Sequence, residues 1–134
     1  RRQRQMCKET VGTDITEIER IRHSVEKLGR PFLTKIFTEG EIAYCEGRGQ
    51  KKYESYAARF AAKEAVSKAF GTGICADARL SEIEIRNDER GKPCLILHGK
   101  TRQYYTEVLK GTSADISLSH SDSAALAFAA ILLE

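Results

Sequence analysis

No apolar run in these 134 residues approaches the roughly 20 needed to cross a bilayer, so a membrane-spanning helix is not expected. The opening residues also lack the apolar stretch of a signal peptide. Cysteine is sparse. Cys7, Cys45, Cys75 and Cys94 stand far apart with no C-x-x-C pair, which argues against the common zinc and dithiol redox motifs and fits the thiols of a reducing cytosol. There is no internal repeat, low-complexity tract or linker. What remains is 41% hydrophobic and 31% charged, the balance of a folded globular chain, at a length that suits one domain.

Net charge is +3, but Arg1, Arg2 and Arg4 lie in a polar arm ahead of Met6. Without that arm the body is neutral. It also lacks an aromatic–basic motif, which disfavours a nucleic-acid or ribosome-binding protein. One local imbalance survives: residues 20–35 carry Arg20, Arg22, Lys27, Arg30 and Lys35 against Glu26 alone.

Helical periods dominate the first half. Gly12-Thr13-Asp14 opens a predicted helix with Ile15, Ile18, Ile21, Val25 and Leu28 on one face, closed by Gly29 and Pro31. Residues 1–11 are set apart as an arm or part of a first strand, where Lys8-Glu9-Thr10 is polar, and 12–134 form the domain. Phe32–Phe37 reads as a short helical turn, Thr38-Glu39-Gly40-Glu41 as a capping box, and Gly47–Lys52 as a loop. Tyr53–Phe70 carries the strongest helical signal, stopped by Gly71 and Gly73. At about 100° per residue, Ala58, Ala61, Ala62, Ala65 and Ala69 form one stripe, Phe60, Glu64 and Lys68 a second, and Arg59 with Lys63 a third. The second half alternates. Ser81–Arg86 and Cys94–His98 read as a hairpin, Thr101–Lys110 as a helix, and Ile116–His120 and Ala124–Leu133 as strands joined by a tight turn. The class is α+β, an antiparallel sheet packed on a long helix.

Taken singly, the chemistry-bearing residues have plain structural explanations. Asp14 suits a helix N-cap, and Glu64 with Lys68 suits an i, i+4 surface ion pair. His120 suits a structural strand residue, and the basic cluster suits a solvated helix face. In their order along the chain they do more. Gly12-Thr13-Asp14-Ile15, then Arg59-Phe60-Ala61-Ala62-Lys63-Glu64-Ala65-Val66-Ser67-Lys68-Ala69, Gly71-Thr72-Gly73-Ile74, Gly91-Lys92-Pro93 and Ser117-Leu118-Ser119-His120 together resemble the holo-acyl-carrier-protein synthases, the small bacterial 4′-phosphopantetheinyl transferases. The match runs from about Gly12 onward.

The resemblance implies transfer of 4′-phosphopantetheine from coenzyme A to a serine of an apo-acyl carrier protein, within fatty acid biosynthesis in the cytoplasm. It implies Mg²⁺ held by Asp14 and Glu64, and Lys68 stabilising charge on the phosphates. Glu64, or a water that it orients, is the implied base. Arg59, Lys63, Lys68, Gly71 and His120 are implied coenzyme A contacts, and a homotrimer with active sites between protomers is implied by a chain holding a single half of the longer transferases. Because acyl carrier proteins are acidic beside their modified serine, Arg20, Arg22, Lys27 and Arg30 are the expected docking residues. The alternative is a non-catalytic coenzyme A-binding module, which has no need of both carboxylates.

Overall fold

Residues 7–134 are described by the structure, a computed structural model; the arginine-bearing arm lies outside the described residues. The chain order is β1 (Lys8–Glu17), α1 (Ile18–Leu28), α2 (Arg30–Ile36), α3 (Glu39–Glu46), α4 (Lys52–Phe70), β2 (Ile83–Asn87), β3 (Pro93–Leu97), α5 (Gly99–Gln103), β4 (Gly111–His120) and β5 (Ala124–Leu133). Three strands form an antiparallel sheet in the order β1-β5-β4, and β2 and β3 form a separate hairpin.

The long helix is the axis of the molecule. Alanines along α4 (Ala58, Ala61, Ala62, Ala65, Ala69) are all buried, as the stripe predicts, and the inward row of β5 is also alanine (Ala125, Ala127, Ala129). Small side chains on both surfaces let helix and sheet approach closely. Bulkier residues fill the margins: Ile116 and Ile131 of the sheet, Ile83 and Ile85 of the hairpin, and Val66 and Phe70 of the helix. A second cluster seats α1, α2 and α3 against the first half of α4 through Ile21, Val25, Leu33, Ile36, Phe37, Ile42 and Tyr56. Little of α4 is left open beyond its first turn: Phe60, Glu64 and Lys68, one turn apart along a single face.

The capping box forms as the sequence predicts: the Thr38 hydroxyl accepts from the Glu41 N–H, and the Thr38 N–H donates to Glu41 Oε1. Other expectations need correction. Gly12-Thr13-Asp14 does not open a helix; it lies inside β1, and α1 starts only at Ile18. The apolar spacing that suggested a helix is partly coincidental, since Ile15 is 69% exposed on the outer face of the strand. Lys8–Val11 belong to β1, the first-strand alternative; their polar side chains are accommodated because β1 is an edge strand. The Gly47–Lys52 loop contains a short 3₁₀ turn, Gly49–Lys51. The helix predicted over Thr101–Lys110 is shorter, passing into a wider π turn at Tyr104–Val108.

Gly12 has a different reason to be glycine. A methyl group built there would overlap the Ala65 carbonyl oxygen and stand 2.7 Å from the Ala69 nitrogen. The strand therefore crosses α4 nearly backbone to backbone, directly beside the turn that carries Glu64 and Lys68.

Candidate active site

Pairing in β1 places Asp14 opposite Ala127, on the strand face that looks toward α4. From there its carboxylate meets the open face of the helix. Lys68 Nζ donates to Asp14 Oδ1 at 3.0 Å and to the Thr13 carbonyl at 3.0 Å, while the buried Thr16 hydroxyl donates to Asp14 Oδ2 at 2.9 Å. The expected Glu64–Lys68 ion pair is thus replaced by one between Lys68 and Asp14, because β1 brings a second carboxylate within reach. Burial pushes the Glu64 carboxyl above the usual range, and the negative charge of Asp14 adds to this, against the pull of Lys68 and Arg20. Asp14, Glu64, Lys68 and Arg20 accordingly form one electrostatic cluster, although they come from a strand and two helices.

The donor chemistry fits a hard divalent cation. Burial first, and the Asp14 charge second, make Glu64 hold its proton more tightly, and a cation relieves both effects. Among the described residues no group of three or more histidine, cysteine or acidic side chains is placed to hold a metal, so an ion here would take only these two protein ligands. Mg²⁺ binds in this manner, filling its remaining positions with water and phosphate oxygens.

On another side of α4 lies a cavity of about 380 Å³, lined among others by Tyr44, Arg48, Arg59, Asn87, Lys92 and His120. Arg59 is only 4% exposed, its guanidinium lies 4.1 Å from the centre of the Tyr44 ring, and its buried Nε has no acceptor among the described residues. His120 Nε2 stands 3.2 Å from Glu54 Oε1. The cavity thus gathers Arg48, Arg59, Lys92 and His120, with Glu54 the acidic residue in its wall. Arg59 and Glu64 leave the helix about 140° apart, so α4 itself divides the cationic cavity from the carboxylate cluster.

Two expected site residues fall elsewhere. Lys63 is fully buried, donating to Glu41 Oε1 at 2.8 Å, to the Leu80 carbonyl at 2.9 Å and to the Ile83 carbonyl. With all three ammonium protons used, it anchors α4 to α3 and the hairpin, and does not face a ligand. Gly71 ends α4 with a φ of +85°, the left-handed cap, and is absent from the lining of the cationic cavity. The basic residues of α1 are exposed, whereas Arg30 makes a two-oxygen contact with Glu39 at 2.7 and 2.9 Å. Thr16, Tyr44, Arg48 and Asn87 were not anticipated. A threonine two residues beyond Asp14 on the same strand face is a readable signal once β1 is recognised; Tyr44 carries none, because its meeting with Arg59 depends on how α3 packs on α4.

Comparison with known proteins identifies the family. The family model described as the 4′-phosphopantetheinyl transferase superfamily matches residues 10–129. A holo-acyl-carrier-protein synthase of Ruminiclostridium cellulolyticum is 54% identical over 124 residues, covering 92% of this chain and 91% of that protein. Among solved structures, the corresponding synthase of Neisseria meningitidis aligns with a TM-score of 0.83 at 32% identity, covering 91% of this chain and 96% of the other. That of Helicobacter pylori, in complex with coenzyme A, aligns with a TM-score of 0.79 at 30% identity, covering 90% and 98%. The chain therefore belongs to the 4′-phosphopantetheinyl transferase superfamily, among the holo-acyl-carrier-protein synthases.

Proposed function

We propose that the protein transfers the 4′-phosphopantetheine group of coenzyme A to a serine hydroxyl of an apo-acyl carrier protein, with Mg²⁺, releasing adenosine 3′,5′-bisphosphate. The observation that carries this reading is the cluster of Asp14, Glu64 and Lys68 on the one open face of α4. In the reaction the serine oxygen forms a bond to the β-phosphorus while the bond from that phosphorus to the bridging oxygen breaks. The nucleotide leaves with the bridging oxygen. Glu64, or a water that it orients, takes the serine proton. Lys68 is placed to offset negative charge gathering on the phosphoryl oxygens. Asp14, held by Thr16 and Lys68, would share the cation with Glu64, and a bound Mg²⁺ supplies neutralisation of the diphosphate.

Arg59, Arg48, Lys92 and His120 suit the phosphates of the nucleotide half. The cavity that they line does not include Asp14, Glu64 or Lys68 in its walls. A homotrimer would close that gap, with the cavity of one protomer completed by the carboxylate cluster of its neighbour. The outer face of the β1-β5-β4 sheet offers the surface: Val11, Ile15, Leu126 and Phe128 are 53, 69, 47 and 43% exposed, with Ile15 directly opposite Leu126. Four exposed apolar side chains on one sheet face suit a covered position better than a solvated one. Arg20, Arg22 and Lys27 on α1 are proposed to receive the acidic carrier, with Arg30 beside them. A cytoplasmic location fits the unpaired cysteines, Cys7, Cys45, Cys75 and Cys94.

Mixing the protein with apo-acyl carrier protein, coenzyme A and Mg²⁺ and weighing the carrier by mass spectrometry tests the reaction. One phosphopantetheine per carrier is expected from the wild type and none from Asp14→Asn or Glu64→Gln. An unmodified carrier with the wild type would overturn the proposal.

A further inference from the structure

The Tyr44 ring receives two guanidinium groups, Arg59 at 4.1 Å and Arg48 at 5.8 Å from its centroid. Arg59 is nearly buried, yet among the described residues it makes no ion pair and its Nε–H finds no acceptor. A buried cation without a counter-ion is costly unless something else stabilises it or a ligand is meant to. Cys45, next to Tyr44 on α3, supplies no charge: burial pushes its thiol up to about 12 despite the pull of Arg59, so it stays neutral. Among the described residues the ring is therefore the partner that Arg59 has.

An aromatic face and a carboxylate hold a guanidinium differently. A carboxylate would cancel its charge and take up its N–H groups; a ring attracts it through its quadrupole and leaves both the charge and the N–H edge available. Tyr44 and Arg59 also border a second cavity of about 380 Å³ beside Glu84 and Arg86, so the stacked pair forms the wall between two spaces and has room on either side.

We propose that Tyr44 is a positioning residue for the nucleotide: it fixes the Arg59 guanidinium, and gathers Arg48 beside it, to receive a phosphate group without neutralising either. This rests on the assignment of the cationic cavity to the nucleotide half of coenzyme A, and adds the residue that organises it. The contribution belongs to binding, not to the phosphoryl transfer, which takes place at Asp14, Glu64 and Lys68.

Isothermal titration of adenosine 3′,5′-bisphosphate into the full-length protein tests the idea without requiring turnover. Tyr44→Leu should weaken binding about tenfold, the value of a partly desolvated cation–π contact, and Tyr44→Phe, which keeps the ring, should stay within about twofold of wild type. In kinetics the leucine variant should raise KM for coenzyme A by a similar factor with little change in kcat. In an Arg59→Gln background, Tyr44→Leu should add less than about twofold, since the two residues act as one unit. Tyr44 is 37% exposed, so the leucine is not expected to unfold the chain; should its melting curve shift, Tyr44→Gln provides a second ring-free variant. Unchanged binding by the ring-free variants, equal losses from phenylalanine and leucine, or full additivity with Arg59→Gln would each overturn the positioning role. If the wild type binds the nucleotide but leaves the carrier unmodified, the reaction assignment fails and the clamp stands; if the wild type does not bind the nucleotide, both fail.

Discussion

Lys63 and Lys68 sit on the same helix with opposite surroundings. Lys68 has half its side-chain surface in solvent and reaches across to Asp14, whereas Lys63 is sealed against Glu41. Burial lowers the affinity of Lys63 for its proton, and the Glu41 charge opposes that effect. Glu41 is itself shared, accepting also from the Thr38 and Ile85 N–H groups, so removing Lys63 would leave a buried carboxylate with only backbone donors. Lys63→Met should cost about 3–5 kcal/mol of unfolding free energy, read from denaturant titration. A variant of normal stability with a raised KM for coenzyme A would restore the phosphate contact that the sequence suggested. Angular arithmetic distinguished the alanine stripe from the Glu64 face, both of which depend on α4 alone. It could not foresee that the third face meets a glutamate 22 residues earlier in the chain, because that meeting is a property of how α3 packs.

At the scale of elements, the crossing of β1 over α4 decides whether a site exists at all. Gly12→Ala should destabilise the protein by about 1–3 kcal/mol, since either the strand or the helix backbone must move. Because Asp14 follows two residues later on the same strand face, carrier modification should fall further than stability does at a temperature where the variant is folded. Normal activity and melting behaviour in this variant would show that the strand can shift without consequence. The helices α2 to α4, the hairpin and the β4–β5 turn were legible from period and turn chemistry, whereas the first and last predicted helices ran too long. The strand β1 was not legible, because its inward row is Thr10, Gly12, Asp14 and Thr16, polar or side-chain-free where an ordinary strand would be apolar. A strand that holds a polar cluster against a helix loses the pattern by which strands are recognised. The α1 element carries a separate expectation. Arg20→Glu with Arg22→Glu should weaken apparent carrier affinity at least about tenfold with little change in adenosine 3′,5′-bisphosphate binding, and added salt should mimic the effect on the wild type. Loss of nucleotide binding with normal carrier handling would place α1 at the nucleotide instead. Arg20 also influences Glu64, so a residual effect on kcat is expected from that position alone.

For the whole molecule, the open sheet face gives the assembly prediction. Light scattering should return close to three times the 15.0 kDa chain, and Phe128→Asp should drive the protein toward monomer with loss of carrier modification. A fully active monomer at nanomolar concentration would sink the shared site. The pairing of β1 has a further consequence, in the time it takes to make the protein. Among the described residues β1 has a single neighbour in its sheet, β5, the last strand. Asp14 is fixed opposite Ala127, so a ribosome must translate nearly the whole described chain before this carboxylate has a place to rest. Contacts of such long sequence separation close late and slowly. A nascent chain can begin its helices while still tethered, but without β5 it can neither cover the alanine face of α4 nor present Asp14 to Glu64. If Asp14 holds the cation as proposed, catalytic competence arrives only with the closing strand, and removing β5 should abolish carrier modification.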